Sequence, residues 1–455
     1  MILPVFSAFL GILAFLPFSY FWILGFVFLA PLFIFFLKEE KFWRLVAGTL
    51  IFRFIFALGT VYYTFEPITW FFSFSIFLGL AITIFIMKKL SGAGRLIFIL
   101  PFAWTLFDYL QARYSFLPAF IMTSGNIFGS SPFLGLAAVG GLTLLIFFTA
   151  IINVLIVALI LKISLNKKIL ILNSAFLIIL IIAAWRFSNY QLKKISADYG
   201  NLKNSLKIAV VSVSEKFERT QFEQIKNELA AQRVDLLIFP EDIFNDDSGN
   251  FSPANFQHLA KNLNNDLLAT FDTIQNNKKY NSTLLLNKNG EVVDIYNKNQ
   301  LTFIGEYWPF GRWRPFFFDW LKKNKPQYEN YVVFNPQNAY SSGEKKILML
   351  DGKIPFAALI CLEIHYPGIL AKYKKMGVRF FVNPTSNRWL DMGIKHFLYL
   401  TNNLRKIEAV WLKTPIIASG VRDYAGIIAP DGKTDLIDYN DQNKNFAVFF
   451  GEIKY

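Results

Sequence analysis

The stretch Leu359-Ile360-Cys361-Leu362-Glu363-Ile364-His365-Tyr366-Pro367 is the point around which the fold of this sequence is predicted. It holds the only cysteine of the 455 residues, at the end of an apolar run typical of a buried β-strand. A turn containing proline follows, and then a helix-like segment. At such a strand-to-helix junction we expect an exposed sulfur beside backbone N–H groups, where a nucleophile is useful. Taken alone, the stretch is equally compatible with a small buried hydrophobic residue.

The composition indicates a membrane protein. The chain is 54% hydrophobic and contains 51 phenylalanines. Its formal net charge is +14, and since no basic run interleaved with aromatic residues stands out in a soluble region, we expect anionic lipid and not nucleic acid as its partner. A single cysteine excludes an intramolecular disulfide, and His258, His365 and His396 lack the spacing of metal ligands. We therefore predict no metal site and no cofactor.

Residues 1–190 are predicted to form a multi-pass α-helical membrane domain. Lysines and arginines follow the second, fourth and sixth of its apolar runs, whereas the loops after the first and third carry none. By the positive-inside rule, the N-terminus is cytoplasmic and the chain after the seventh run is external. Arg53 and Asp108 lie within two of the runs and are expected to face a protein interior. The seven candidate spans are Pro4–Phe18, Phe21–Leu37, Leu45–Tyr63, Phe71–Met87, Leu96–Leu110, Phe133–Leu161 and Ile169–Trp185.

Residues 191–455 are predicted to form an external α/β sandwich domain. Short apolar strands alternate here with polar and amphipathic segments, and Asn289-Gly290 and Asp351-Gly352 are typical hairpin turns. The predicted helices are Lys216–Arg233 and Lys395–Val410. The predicted strands are Leu206–Val213, Val234–Phe239, Asn281–Leu286, Glu291–Tyr296, Lys346–Leu350, Ile354–Ile360, Val378–Val382, Ile416–Ser419, Gly426–Ile428 and Phe446–Phe450.

Three residues that could take part in catalysis each follow one of these strands. Glu241 comes after Pro240, which should end its strand, and a carboxylate in a partly dry cleft can act as a general base. Lys298 follows Glu291–Tyr296 and could supply a positive charge to an oxyanion. With Cys361, these residues fit thiol acyl transfer, in which a base deprotonates the thiol and the thiolate attacks an acyl carbonyl. By itself, the glutamate is more typical of an ordinary loop acid, and the lysine of a solvated surface charge.

The same residues resemble the nitrilase, or carbon–nitrogen hydrolase, superfamily. The similarity rests on Phe239-Pro-Glu241, Tyr296-Asn-Lys298 and Cys361-x-Glu363, in the order of that family. A multi-helix membrane segment before such a domain resembles the apolipoprotein N-acyltransferases, and so does the stretch from Tyr296 through Gly305-Glu306-Tyr307. The resemblance implies a nitrilase-like αββα sandwich. It also implies Glu241 as base, Lys298 as oxyanion-stabilising residue and Cys361 as nucleophile.

Further roles follow from the resemblance alone. Glu306 and Glu363 would be supporting acids, and the backbone N–H of Leu362 would contribute to the oxyanion site. The substrate-binding candidates are Tyr280, Asn281, Tyr307, Trp308 and Trp389. The chain departs from the family pattern at Phe239, where tryptophan is usual, at Leu362, where tyrosine is usual, and in having no final apolar run before Tyr455.

The implied activity is transfer of a fatty acyl chain from a membrane phospholipid, through a cysteine thioester, to the α-amino group of a diacylglyceryl-cysteine at a lipoprotein N-terminus. The implied location is the bacterial inner membrane. The segment Phe303–Leu321, rich in aromatic residues and arginine, is expected either to cover the site at the membrane interface or to pack in the core. Two alternatives stay open: a membrane-tethered amidase, and a non-catalytic membrane binding or transport protein.

Overall fold

The computed structural model of the chain describes all residues except 62–66, 115–118, 163–166, 216–218, 244–252, 304, 315–322, 324–331, 333, 391 and 440–444. The side chains of residues 67–72, 93, 119, 162, 167–170, 219–220 and 253 also lie outside this description. The chain forms two compact units. The helical unit comprises Met1–Asp198, Leu390–Lys413 and Ala429–Lys433, and the sheet unit comprises Tyr199–Trp389, Thr414–Ile428 and Thr434–Tyr455.

Eleven α-helices lie within the described residues. Gly141, with φ 58° and ψ −151°, interrupts α6, and a 3-10 segment, Phe21–Phe26, precedes α2. The helices are α1 (Ile2–Ala14), α2 (Ala30–Lys38), α3 (Phe42–Thr60), α4 (Pro67–Ser91), α5 (Ala93–Tyr114), α6 (Ala137–Lys162), α7 (Lys167–Gly200), α8 (Arg219–Ala230), α9 (Pro253–Leu263), α10 (Pro367–Lys375) and α11 (Ile394–Leu412).

The seven predicted spans correspond to α1 through α7. Five helical segments of the described chain are long and apolar enough to cross a membrane. The other two differ for physical reasons: α1 has only 13 residues, and α5 carries Arg95, Asp108 and Arg113. The five segments are Phe21–Lys38, Phe42–Thr60, Ser73–Ser91, Leu134–Leu161 and Ile171–Gly200.

The two charged residues predicted to face a protein interior are buried, as expected. The Arg53 side chain donates from Nε to Ser73 Oγ (2.7 Å) and from Nη2 to Gln111 Oε1 (2.9 Å). Asp108 Oδ2 accepts from both the backbone N–H (2.8 Å) and the hydroxyl (2.7 Å) of Ser124. Only 2% of Arg53 and 3% of Asp108 are exposed, so hydrogen bonds and not solvent satisfy these groups.

The helix α11 is grouped with the helical unit, although it lies late in the sequence. The Asn126 Nδ2 group donates to the Leu400 carbonyl of α11 at 3.0 Å, and His396 Nε2 lies 3.1 Å from the Phe15 carbonyl. A side chain at Gly141 would lie 2.8 Å from the Trp411 ring. The predicted domain boundary at residue 190 falls inside α7. Residues 390–413, which the prediction placed in the second domain, are grouped with the helical unit.

In the part of the sheet unit that the structure describes, twelve strands form one hydrogen-bonded network. The main path runs β5-β4-β3-β2-β1-β9-β8-β7-β6, with β12 antiparallel to β1, β10 paired to β9 and β11 paired to β10. The strands are β1 (Ser205–Val213), β2 (Leu236–Glu241), β3 (Asp266–Gln275), β4 (Lys278–Leu286), β5 (Val292–Asn297), β6 (Leu348–Leu350), β7 (Ile354–Ala358), β8 (Phe380–Ser386), β9 (Ile416–Val421), β10 (Ala425–Ile428), β11 (Thr434–Ile437) and β12 (Phe446–Lys454).

The sheet folds back on itself. The strand β1 pairs with β9 at one residue pair only, Val213 with Val421, whereas β2 packs against β8 and β9 without being hydrogen-bonded to them. The two halves therefore face each other as the layers of a sandwich. On the outer face of the first half, Phe222 and Ile225 of α8 and Phe256 of α9 pack with Phe239 of β2 in one apolar cluster. Each of these large side chains contributes about 1.5–3 kcal/mol when fully buried.

All ten predicted strands lie within observed strands or overlap them. The prediction that Pro240 ends β2 is wrong, because β2 continues through Pro240 to Glu241. The pairing of β2 with β1 stops at Ile238, and its register with β3 shifts between Ile238 and Glu241. This irregularity accommodates a residue that has no N–H to donate. The strands β3 and β11 were not predicted, and neither was α9.

Candidate functional site

Cys361 lies in a tight turn after β7. Its φ is +54°, in the left-handed region that a non-glycine residue rarely adopts, and it begins a short 3-10 helix, Cys361–His365. The Asn383 side chain holds this turn by donating from Nδ2 to the carbonyls of Leu359 (2.6 Å) and Cys361 (3.0 Å). The expectation of an exposed sulfur is wrong, since Cys361 is only 9% exposed. Burial also raises the pKa of its thiol, with Glu241 adding to the shift.

Glu363 ties the cysteine turn to the segment after β5. Its carboxylate is fully buried and accepts from the Ile360 N–H at 2.9 Å in its own turn. It also accepts from the Tyr296 hydroxyl (2.8 Å) and from the backbone N–H groups of Asn299 and Gln300 (2.9 Å each). Burial raises the pKa of this carboxyl, whereas the donors oppose the shift by stabilising its charged form. Because all its partners are donors, they hold it as an acceptor between the two segments.

Glu241 is the last residue of β2 and only 7% exposed. Asn281 Nδ2 donates to its Oε1 at 2.6 Å, and its Oε2 has no hydrogen-bond partner among the described residues. Burial raises the pKa of Glu241 to about 7, with Glu306 and Asp242 adding to the shift and Lys298 opposing it. A carboxyl group that titrates near neutral pH, with one free oxygen, is suited to accept a proton.

Lys298 follows β5, and only 1% of the residue is exposed. Its N–H donates to the Asn281 carbonyl at 2.8 Å, which extends the pairing of β4 with β5. Its ammonium donates to Glu306 Oε1 at 2.8 Å and to Thr302 Oγ1 at 3.4 Å. Burial opposes the charge, but Glu306, Cys361 and Glu241 outweigh that effect and raise the pKa of Lys298. The side chain is therefore a fixed cation in a dry environment.

The structure brings Glu241, Lys298 and Cys361 together at one place in the sheet unit. Lys298 interacts electrostatically with Glu241 and Cys361. The charges of Glu241 and Lys298 in turn both shift the pKa of the Cys361 thiol. Asn281 joins the two acids, since the same Nδ2 group lies 2.6 Å from Glu241 and 3.1 Å from Glu306. Leu362 is the second residue of the 3-10 helix, where backbone N–H groups have no partner within the helix.

The remaining predicted substrate-binding residues fall into three places. Tyr280 is half-buried on β4, on the face opposite to its neighbour Asn281. Tyr307 and Trp308 belong to an aromatic group in which Trp308 stacks on Phe303, with ring centroids 5.3 Å apart. Trp389 is 37% exposed and comes shortly after β8. The rest of the predicted cover, residues 315–321, lies outside the described residues.

Arg388 is a site component that the sequence did not indicate. Its guanidinium donates to the backbone carbonyls of Asp242 and Ile243, the latter at 2.9 Å, and lies 3.3 Å from the Asp242 carboxylate. Asp242 has φ +48°, so Arg388 holds a strained turn directly after Glu241. The roles of Tyr296 and Asn383 were also missed. The one available signal was position, because Arg388 comes just after β8, whose end lies beside those of its parallel neighbours.

Two protein families match this chain, one in each half. Residues 7–155 match the family described as Apolipoprotein N-acyltransferase N-terminal domain, and residues 220–410 match Carbon-nitrogen hydrolase. The chain is therefore similar to the apolipoprotein N-acyltransferases in its first half and to the carbon–nitrogen hydrolases in its second. These matches confirm the predicted fold class, in which several apolar helices precede a nitrilase-like sheet domain.

Individual relatives share only part of their length with this chain. Apolipoprotein N-acyltransferase 2 of Treponema denticola is 27% identical over 167 residues, covering 35% of this chain and 29% of the relative. Apolipoprotein N-acyltransferase of Aquifex aeolicus is 25% identical over 213 residues, covering 46% and 44%. The chain thus aligns with less than half the length of these curated relatives. Among solved structures, Saccharomyces cerevisiae Nit3 of the nitrilase superfamily matches 56% of this chain and 91% of its own, at 15% identity and a TM-score of 0.40.

Proposed function

We propose that this protein transfers a fatty acyl chain from a membrane phospholipid to the α-amino group of a diacylglyceryl-cysteine at a lipoprotein N-terminus. The acyl chain travels as a thioester on Cys361. The observation that carries the proposal is a buried thiol in a strained turn, under the electrostatic influence of a buried base and a buried cation. The two family matches and the apolar helices support an acyltransferase that works on lipids.

In the first half-reaction, Glu241 removes the thiol proton of Cys361 while the sulfur attacks the ester carbonyl of the phospholipid. Burial raises the pKa of the thiol, so at neutral pH it needs such a base. The Lys298 ammonium and the Leu362 N–H stabilise the negative oxygen of the tetrahedral intermediate. When the carbon–oxygen bond breaks, Glu241 returns the proton to the departing glycerol oxygen. The products are a lysophospholipid and an acyl thioester.

In the second half-reaction, the neutral α-amine of the acceptor attacks the thioester carbonyl. Glu241 takes a proton from the attacking nitrogen, the carbon–sulfur bond breaks, and the proton passes to the sulfur to regenerate the thiol. Water must be kept from the thioester between the two steps. The deep burial of Cys361, Glu241 and Lys298 supports this separation.

We also propose that the sheet unit lies on the external side of the bacterial inner membrane. The proposal rests on the lysines and arginines that follow the second, fourth and sixth apolar runs. Because Cys361 is the only cysteine, a Cys361→Ala background allows single cysteines to report the side of the membrane. A cysteine replacing the exposed Lys375 should react with a membrane-impermeant maleimide on spheroplasts. Protection of that cysteine until the membrane is lysed would reverse the orientation.

The direct test of the function is reconstitution of the purified protein with phospholipid and a synthetic diacylated lipopeptide. The proposal predicts a triacylated lipopeptide with wild-type protein and none with Cys361→Ala. A lipopeptide whose α-amino group is acetylated serves as the matched control and should stay unmodified. Release of free fatty acid without a triacylated product would favour the amidase alternative. Absence of any acyl product would favour a binding or transport protein.

A further inference from the structure

A basic pocket lies wholly within the helical unit, near the C-terminal end of α7. Its volume is about 690 Å³. Three lysines from three separate segments converge on it: Lys193 of α7, Lys406 of α11 and Lys433 of the short segment that follows β10. Ser130 and Ser131 line it as well, and Leu134 and Leu192 give it an apolar wall. A pocket of this size can hold a group of small-molecule dimensions.

The pocket carries an excess of positive charge. The one acid among its lining residues is Asp431, which is paired to the Lys433 ammonium at 2.9 Å and accepts the Lys433 N–H at 3.2 Å. Among the described residues, the hydrogen-bond partner of Lys406 Nζ is the Ser130 hydroxyl, at 3.5 Å. Within the described residues, no carboxylate lies within ion-pair distance of Lys193 or Lys406. Burial lowers the pKa of Lys406, and an anion in the pocket would oppose that shift by stabilising the charged form.

The position of the pocket along α7 indicates what kind of anion would reach it. Six large apolar side chains of α7 between Ile171 and Ile182 are exposed, as expected of a surface that faces lipid. Trp185 and Tyr190 are exposed farther along the helix, where aromatic side chains are typical of the membrane–water interface. Lys193 follows Tyr190 by less than one helical turn, so the pocket begins at the depth of lipid headgroups.

We propose that this pocket binds the phosphate of an anionic phospholipid headgroup. The Lys193 and Lys406 ammonium groups pair with the phosphate, beside the Ser130 and Ser131 hydroxyls, which donate to Asn403 Oδ1 and to the Phe128 carbonyl. Leu134 and Leu192 contact the glycerol and the first methylene groups. The inference rests on α7 as a membrane span and does not depend on the acyl transfer proposed above. The same phosphate chemistry could be met by free inorganic phosphate, but the apolar wall and the position on α7 favour a lipid.

The test is a lipid titration of the full-length, delipidated protein in neutral detergent, followed by native mass spectrometry. The probe is dioleoylphosphatidylglycerol, and the pocket variant is Lys193→Gln combined with Lys406→Gln. Its matched control is Lys194→Gln combined with Lys395→Gln, which removes two exposed lysines from the same two helices. We expect the pocket variant to bind the lipid at least about tenfold more weakly, since one charge-assisted hydrogen bond accounts for about that factor. The control should bind as the wild type does.

Three outcomes decide the matter. A selective loss in the pocket variant, with a large excess of inorganic phosphate failing to displace the lipid, supports the proposal. Equal binding by the pocket and control variants overturns it, and displacement by inorganic phosphate assigns the pocket to free phosphate instead. Should the double variant fail to fold, Lys193→Gln alone keeps the test valid, because Lys193 is exposed. That single variant should still bind more weakly than Lys194→Gln, and equal affinities of the two would refute the pocket.

Discussion

Replacing Glu241 by glutamine removes the proposed base while keeping the shape of the side chain. The glutamine carbonyl can still accept the Asn281 hydrogen bond that Glu241 Oε1 accepts at 2.6 Å. General-base catalysis contributes about 10²- to 10⁴-fold, so acylation of Cys361 should slow by that factor, or about 3–5 kcal/mol in activation free energy. The assay is the rate at which wild type and Glu241→Gln acquire an acyl mass from phospholipid. Glu223→Gln, on the surface of α8, is the control.

The pH dependence of the same assay tests the assignment more sharply. With a pKa of about 7, the ionised fraction of Glu241 rises from about 0.1 at about pH 6 to about 0.9 at about pH 8. The wild-type acylation rate should rise by nearly tenfold over that range, and the rate of Glu241→Gln should not follow this curve. A variant within about threefold of wild type at neutral pH would refute the role of Glu241.

The same substitution, Glu241→Gln, should raise the stability of the folded protein although it lowers the acylation rate. The folded-state pKa of Glu241 lies above its ordinary value of 4.5, so the folded protein binds more protons than the unfolded chain between these pKa values. The free energy of unfolding therefore falls as pH rises from about 4.5 to about 7. Glu241→Gln removes this cost, and its Tm should exceed that of wild type at pH 8, with the gain lost at pH 4. A lower Tm at both pH values would contradict this reasoning.

Three further substitutions have outcomes that follow from the structure. Glu363→Gln should lower the free energy of unfolding by about 3 kcal/mol and abolish acylation, because whichever way its amide turns, the NH₂ faces a backbone N–H donor. Arg388→Gln should lower kcat by about tenfold or more with little change in KM, because it releases the strained turn at Asp242 that positions the base. Gly135→Ala should cost about 1–3 kcal/mol in stability, because its Cβ would lie 2.1 Å from a backbone oxygen, whereas Gly94→Ala meets nothing within 4 Å.

Each of these predictions has a measurement that can contradict it. Thermal unfolding in detergent distinguishes Glu363→Gln from wild type, and equal Tm values would show that the carboxylate does not hold the two segments together. For Arg388→Gln, a change confined to KM would assign the arginine to substrate binding and not to positioning. For the two glycines, equal effects on Tm would show that the close packing at Gly135 does not limit stability.

The sequence predicted most of the strands for a simple physical reason. Buried strands of a folded-back sheet read as short apolar runs, and charged residues or hairpin turns such as Asn289-Gly290 interrupt them. The strand β3 was not predicted because its second half alternates between half-buried and exposed residues and carries Asp272 and Gln275. The prediction at Pro240 failed because a register shift lets a proline remain within a strand.

The components of the site could be predicted only in part. Glu241, Lys298 and Cys361 each follow a strand, and the ends of strands in one sheet come together. In contrast, Arg388 reaches Asp242 across 146 residues of sequence, and no local pattern predicts such a contact. The burial of Cys361 could not be predicted either, because it depends on tertiary packing around a turn whose sequence is typical of an exposed position. The grouping of α11 with the helical unit has the same origin.

The central claim is that Cys361 carries a fatty acyl group as a thioester. Purified protein incubated with dipalmitoyl phospholipid, without acceptor, should gain the mass of one palmitoyl group on the peptide that contains Cys361. Neutral hydroxylamine should remove it, and the diacylated lipopeptide should discharge it with formation of an amide. Transfer of palmitate to the lipopeptide by a Cys361→Ala variant, or a stable acyl group on any other residue, would contradict the account.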